Sequence, residues 1–266
     1  MSTALAFIKR DATLMVSYRF AFVVQLAIIF VAVPFFYYST KVIAGEDPEG
    51  LASYGGDPFA FALIGFAFLD YSAVSLKRFN ESIRESQLMG TLEISLLSPT
   101  PISRILLYSA LWGYTFSTIR LAIYLLLGMA FGLRFPDADF VAAIVMLLLS
   151  IVAFASLGIM VASVTMVVKK SDPVNLAINF LSLLIGGVFF PASVMPGWLN
   201  KLSLLLPIRH SLDGVRAALL RGVSVLDLWP QMVSLLAFAA VLFPIGLWSF
   251  RLAVEKGKRD GTIDQY

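Results

Sequence analysis

Cysteine is absent from the 266 residues of this chain, and histidine occurs once. Without cysteine there is no disulfide and no thiolate ligand, and a metal site needs several ligands where one imidazole supplies a single one. The lone His210 also has no plausible serine and acid partners for nucleophilic catalysis. We therefore expect no metal site and no catalytic residue in this chain.

Charge is also scarce. Only 14% of the residues are charged, against about a quarter in an ordinary soluble domain. Hydrophobic residues make up 59%, and the mean hydropathy is +0.86. The apolar runs do not alternate with the period of two that barrel strands show, and backbone groups in lipid must bond internally. The composition therefore predicts an all-α membrane protein.

Six apolar segments approach the length of about 20 residues that a helix needs to cross a bilayer. Asp57-Pro58 and Asp172-Pro173 each place an N-cap acid before a proline suited to the first helical position. We expect one membrane domain over 1–266, with an interfacial helix at 1–19, a six-span core at 20–251 and a tail at 252–266. The predicted spans are Phe20–Thr40, Pro58–Leu76, Ile105–Gly132, Phe140–Val168, Pro173–Phe190 and Leu228–Phe250.

Basic residues orient this layout. With both termini in the cytoplasm, thirteen of the 20 basic residues lie inside, six lie outside and Arg120 lies within a span. Cytoplasmic loops carry the excess of lysine and arginine, so we expect a multi-pass protein of the cell membrane with both ends cytoplasmic. The inside residues are Lys9, Arg10, Arg19, Lys77, Arg78, Arg84, Arg104, Lys169, Lys170, Arg251, Lys256, Lys258 and Arg259. The sequence has no basic stripe interleaved with exposed aromatics, so it does not predict a nucleic-acid partner.

Five polar residues lie within predicted spans, where charges are costly and face protein or water. We interpret them as lining a translocation path or as bonding between helices. Asp70 and Arg120 could pair with each other, or each could meet a residue of a neighbouring subunit. Asp70 lies about 12 Å from Arg78 along its helix and Arg120 about 24 Å from Arg104, an offset that argues against direct pairing unless the third span starts well below the membrane. Asn175 and Asn179 are four residues apart and share a helix face. The full set is Gln25, Asp70, Arg120, Asn175 and Asn179.

A short polar stretch, SQLMGTLEISLLSPTPISR, separates the second and third spans on the cytoplasmic side. Ser82 and Glu85 have the spacing of a capping box, and Leu88, Leu92 and Leu96 fall on one helical face. Ser98-Pro99 would end that helix. The pattern predicts either a short amphipathic helix that passes force from a cytoplasmic partner into the spans or a plain connector.

The segment 189–222, on the outside, is divided by Pro191, Pro196-Gly197 and Pro207 into pieces too short to cross. We expect it to dip into the outer leaflet and return, packed against protein. Asp213 and Arg216 are three residues apart, a spacing that favours a local ion pair.

Two blocks in this order resemble the ABC exporter permeases with a transmembrane type-2 domain. The first is Glu85, then Gly90-Thr91-Leu92-Glu93, then Leu96-Leu97-Ser98-Pro99. The second is Gly187-Val188-Phe189-Phe190-Pro191, Met195-Pro196-Gly197-Trp198-Leu199, Leu206-Pro207, Asp213, Arg216 and Gly222, with Met195 where leucine is usual. The resemblance covers nearly the whole chain and includes the six-span layout.

That resemblance implies a membrane subunit that works with a second permease subunit, as a homodimer or heterodimer, and with two copies of an ATPase. The first block is then the coupling helix that docks on the ATPase, which binds ATP and magnesium. The chain itself has no phosphate-binding G-x-x-x-x-G-K-[ST] loop. The implied cargo is an amphipathic, drug-like molecule or a lipid moved by alternating access. Export of a polysaccharide or lipid-linked glycan remains open, as does a non-transport assembly or anchoring role.

Overall fold

The computed structural model describes residues 19–43, 56–88, 102–168 and 172–260. Within these ranges the chain forms eight α-helices, and no strand occurs in them. They are α1 (Arg19–Ile43), α2 (Pro58–Leu88), α3 (Ile102–Ala130), α4 (Phe140–Val168), α5 (Asp172–Ile185), α6 (Gly197–Ser203), α7 (Pro207–Arg221) and α8 (Trp229–Asp260), with a 3-10 turn at Ala192–Val194. The expected interfacial helix over 1–19 lies outside the described residues except for Arg19, the first residue of α1.

Four of the eight helices are long and apolar enough to cross a membrane. The qualifying stretches are Val23–Val42, Leu111–Ala130, Phe140–Val164 and Trp229–Glu255, in α1, α3, α4 and α8. The apolar parts of α2 and α5, Pro58–Val74 and Pro173–Ile185, are shorter. The all-α membrane architecture is thus confirmed, and four of the six predicted spans have the length and composition of a membrane-crossing helix.

Helix starts follow the sequence closely. The Asp57 carboxylate accepts a hydrogen bond from the Phe59 amide at 2.9 Å, and Pro58 opens α2. The predicted cap at the start of this helix is therefore confirmed. The α4 start has the same chemistry, since Asp139 Oδ1 accepts from the Ala142 amide at 2.9 Å. Because a helix leaves its first amides unsatisfied, each acid removes an unpaired donor.

The predicted capping box at Ser82 and Glu85 is wrong. Both residues lie inside α2, which runs without a break to Leu88. A capping box needs its serine in a non-helical conformation. No glycine or proline occurs between Gly65 and Leu88 to end the helix, and Lys77 and Glu81 form an i, i+4 ion pair at 3.1 Å along it. The second helix therefore extends twelve residues beyond the predicted span end at Leu76.

Helix α2 is the central element, since it packs against α1, α3, α4, α5 and α7. Two glycines on its neighbours allow close approach. A Cβ on Gly128 of α3 would lie 2.5 Å from a methyl carbon of Leu63, and one on Gly158 of α4 would lie 2.5 Å from the Phe79 ring. Small residues let membrane helices pack closely where lipid offers no hydrophobic driving force.

The fifth helix ends five residues before the predicted Phe190. It stops at Ile185, Gly186 follows, and Gly187 has a φ of 78°. That positive φ belongs to the left-handed region, which glycine enters without penalty. At 1.5 Å per residue the 14 residues of α5 reach about 21 Å, less than the roughly 30 Å of a hydrocarbon core.

We expect Gly222→Ala to destabilise the fold by at least about 2 kcal/mol. Gly222 ends α7 with a φ of 63°, and a Cβ there would lie 2.0 Å from the Asp137 carbonyl oxygen. Backbone strain and steric overlap therefore add. Thermal unfolding of the detergent-solubilised protein measures the effect. Gly197→Ala is the matched control, because nothing lies within 4 Å of its Cβ position, and equal loss in both variants would contradict the argument.

Candidate functional site

A buried ion pair joins α2 to α3. Arg120 Nη2 donates to Asp70 Oδ1 at 2.8 Å and lies 2.8 Å from Oδ2. The arginine side chain is 6% exposed and the aspartate side chain 23% exposed. Such a pair offsets the large cost of two isolated charges in an apolar interior. The expectation that these residues would not pair directly is therefore wrong.

The two residues meet because both helices extend beyond Arg78 and Arg104. Helix α2 continues to Leu88, and α3 begins at Ile102. Counted from those ends, Asp70 and Arg120 are each 18 residues away, about 27 Å. In an antiparallel pair of neighbouring helices, equal distances from the connection bring two residues to the same level.

Other polar groups extend this level of the α2–α3 contact. The Tyr71 and Thr118 hydroxyl oxygens are 3.3 Å apart, and the Thr118 hydroxyl donates to the Tyr114 carbonyl at 2.8 Å. Tyr124 lies one turn after Arg120, is fully buried, and is close enough to interact electrostatically with both charges. The ion pair is thus the centre of a polar layer within an otherwise apolar contact.

The remaining intramembrane polar candidates occupy α1 and α5. Gln25 and Asn179 are half-buried, and Asn175 is buried. No hydrogen-bond donor in the described ranges reaches the buried side-chain oxygen of Asn179. The assignment of these three residues to a path or to helix contacts stays a prediction.

A second buried charge, Arg216, holds residues 189–222 in place, which we call the outer segment after its predicted location. Its side chain is fully buried. Nη1 donates to the Gly187 carbonyl at 2.6 Å, and Nη2 donates to the carbonyls of Val188 and Phe61 at 2.8 and 2.7 Å. The guanidinium carbon also lies 3.5 Å from the centre of the Phe61 ring. We call this arrangement the carbonyl clamp: one side chain of α7 joins the chain after α5 to the first turn of α2.

Gly65 makes the clamp possible. A Cβ at this position would lie 2.2 Å from the Val188 carbonyl oxygen and 2.4 Å from Arg216 Nη2. Any other residue would push the connecting chain away from α2. Sequence reasoning placed Arg216 in the outer block but missed Gly65, whose role depends on residues far away in the sequence.

The structure pairs Asp213 with Arg209, and the proposed pair with Arg216 stays a prediction. Arg209, four residues earlier on α7, places Nε 3.0 Å from Asp213 Oδ2, and Arg209 is buried. Both i, i+3 and i, i+4 neighbours share a helix face, so spacing alone could not choose between Arg209 and Arg216. The sequence thus identified the acid and missed its 3.0 Å contact with Arg209.

Prolines divide the outer segment as predicted. Pro191 is buried and precedes the 3-10 turn, Pro196 is the N-cap of α6, and Pro207 opens α7. Trp198 in α6 is 66% exposed. Helix α7 is buried along most of its length and packs on α2, α4 and α8. The segment is therefore a set of short helices resting on the bundle, with α6 as its exposed part.

The coupling candidates fall almost entirely outside the described residues. Glu85 lies in the last turn of α2. The other six, which stay predictions, are Gly90, Thr91, Leu92, Glu93, Leu96 and Pro99.

Comparison with known proteins supplies the family. The "Probable multidrug ABC transporter permease YbhR" of Escherichia coli strain K12 is 26% identical over 176 residues, covering 65% of this chain and 47% of that protein. The "Inner membrane transport permease YhhJ" of the same strain is 26% identical over 106 residues, 40% of this chain and 28% of that protein. The chain thus aligns with half or less of each relative's length. The model of the ABC-2 type transporter family matches residues 4–220, and the chain belongs to that family.

Proposed function

We propose that this chain is the membrane-spanning permease subunit of an ATP-driven exporter. It moves an amphipathic, drug-like molecule or a lipid out of the cell by alternating access. A separate ATPase in two copies binds ATP and magnesium, and a second permease subunit, in a homodimer, completes the path. Six spans, cytoplasmic termini and a coupling helix over 85–99 complete the proposal.

The observation that carries the proposal is the family match over residues 4–220, together with a relative named as a multidrug ABC transporter permease. The four apolar helices long enough to cross a membrane support it. So does the strongly exposed apolar surface of α1, α5 and α8, which suits contact with lipid or a second subunit.

The two shorter apolar helices fit a six-span layout. Helix α2 has 31 residues and passes beyond its apolar part into the charged stretch around Lys77 and Glu81. Helix α5 is continued by the chain that the carbonyl clamp holds against α2. In the proposed layout these two helices supply the fifth and sixth crossings, and an even number of crossings puts both termini on one side.

A coupling test follows. We expect Glu93→Ala or Gly90→Pro to reduce permease-stimulated ATP hydrolysis while the chain still inserts in the membrane. Truncating a central interface residue costs about 2 kcal/mol, which corresponds to about thirtyfold in affinity between subunits. The measurement is ATPase turnover in proteoliposomes containing the ATPase that copurifies with this chain, titrated against the permease.

Glu81→Ala is the matched control, because it removes an acid from the inner part of α2 outside residues 85–99. It should leave stimulation unchanged. Normal coupled turnover in both 85–99 variants would contradict the docking role. Cargo movement by the purified chain without any ATPase would contradict the proposed function itself.

A further inference from the structure

The spans hold very little charge away from their ends. Between residues 58 and 76 the only charged residue is Asp70, and between 105 and 132 it is Arg120. The segments 140–168, 173–190 and 228–250 contain none. A buried ion pair contributes little more to stability than apolar residues of similar volume would, so stability alone does not account for this one. Charged residues within spans pair with one another or with backbone carbonyls, and they commonly mark the pathway of a substrate or an ion.

The two members of the Asp70–Arg120 ion pair differ in their exposure. Arg120 is buried, with Nη2 directed at both carboxylate oxygens and the Phe116 ring 6.0 Å from its guanidinium carbon. Asp70 keeps about a quarter of its side chain exposed. A carboxylate has about four acceptor positions, and one guanidinium nitrogen does not fill them. The pair therefore acts as a dipole whose negative end is the accessible one.

The surroundings of that negative end are apolar. Phe66, Ala73 and Val74 lie three or four residues from Asp70, and Leu69 lies beside it on the same face of α2. All four are half-buried, whereas the remainder of the helix between Phe59 and Tyr71 is mostly buried. The face combines a partly exposed apolar strip with a single acceptor of negative character. That combination matches a molecule with a cationic group on a hydrophobic body.

We propose that Asp70 receives the positively charged group of the transported amphiphile and that Arg120 positions its carboxylate. The cargo class is then an organic monocation. Its positive group lies against the Asp70 carboxylate, and its apolar body lies along α2. An anion of the same shape is rejected by the carboxylate. That the bound cation is transported rests on the proposed function. The binding of the cation can be measured on this chain alone.

The test is equilibrium binding to the purified full chain in phosphatidylcholine nanodiscs, with empty nanodiscs as background. The probes are rhodamine methyl ester, a monocation, and fluorescein methyl ester, an anion built on the same ring system. Fluorescence anisotropy reports binding of each. We expect the cation to bind at least about tenfold more tightly, because a hydrogen bond to a charged group is worth that much.

Two paired variants keep the result interpretable. Asp70→Asn with Arg120→Gln removes the dipole without leaving a lone buried charge, and it should abolish the preference for the cation. Asp70→Arg with Arg120→Asp restores an ion pair of opposite direction, and it should favour the anion. Lys77→Gln, on the exposed inner part of α2, is the control and should keep the wild-type preference.

Equal binding of the two probes by the wild type would overturn the inference, as would an unchanged cation preference in the neutral pair with its folding verified by thermal unfolding. Neither result bears on the ATPase partnership. Conversely, failure to find a coupled ATPase would contradict the proposed function and would not affect the binding result.

Discussion

Arg216→Ala is expected to lower the free energy of unfolding by about 4 kcal/mol or more, since each buried acceptor left unsatisfied costs about 1–3 kcal/mol. The buried carbonyls of Gly187 and Val188 lose this donor together, and the Phe61 carbonyl loses the hydrogen bond that joins α2 to α7. The fully buried site offers water no ready access. Thermal unfolding in detergent and the yield of monodisperse protein measure the effect.

Arg134→Ala is the matched control, since it removes the same charge from an exposed position in the connection between α3 and α4. We expect it to change stability by less than about 0.5 kcal/mol. Arg216→Lys should recover only part of the loss, because an ammonium group lacks the planar fork that reaches three carbonyls. A fully stable Arg216→Ala protein would show that the carbonyl clamp is not needed to hold the outer segment.

Breaking the Asp70–Arg120 pair is expected to be almost as damaging. Asp70→Asn leaves the Arg120 charge buried without its carboxylate, at a cost of about 3–5 kcal/mol. The double variant Asp70→Asn/Arg120→Gln should cost about 2 kcal/mol less than the sum of the two single variants, because residues in contact do not behave additively. Chemical unfolding of all four proteins gives the coupling free energy.

A distant pair provides the reference for that cycle. Lys77→Gln combined with Arg120→Gln should be additive within about 0.5 kcal/mol, as expected for sites without shared partners. Additivity of the Asp70 and Arg120 variants to the same degree would mean that the 2.8 Å contact contributes nothing to the folded state.

The sequence predicted the helices well where local chemistry determines them. Helix α4 was expected at Phe140–Val168 and is found there, and Pro58 opens α2 after its aspartate cap. Apolar runs and helix-start residues are encoded within a few positions of one another. Such signals need no knowledge of distant parts of the chain.

Errors arose where the deciding partner is distant or where one spacing has two explanations. Arg216 binds a carbonyl 155 positions away, and no local pattern identifies Phe61 as its partner. Ser82 and Glu85 have a spacing that fits both a helix start and the middle of a helix. The depth of Asp70 relative to Arg120 depended on where two helices end, which polar residues near a membrane surface do not define sharply.

Helix α2 runs for 31 residues without an interruption at which it could hinge. From Phe61, held by Arg216, to Glu85 there are 24 residues, about 36 Å of helix, and no residue after Gly65 is a glycine or proline. Sharp kinks form at such residues, so this stretch bends little. A tilt imposed on the Leu88 end of α2 is therefore transmitted to its first turn, where Arg216 bonds the helix to the chain that follows α5.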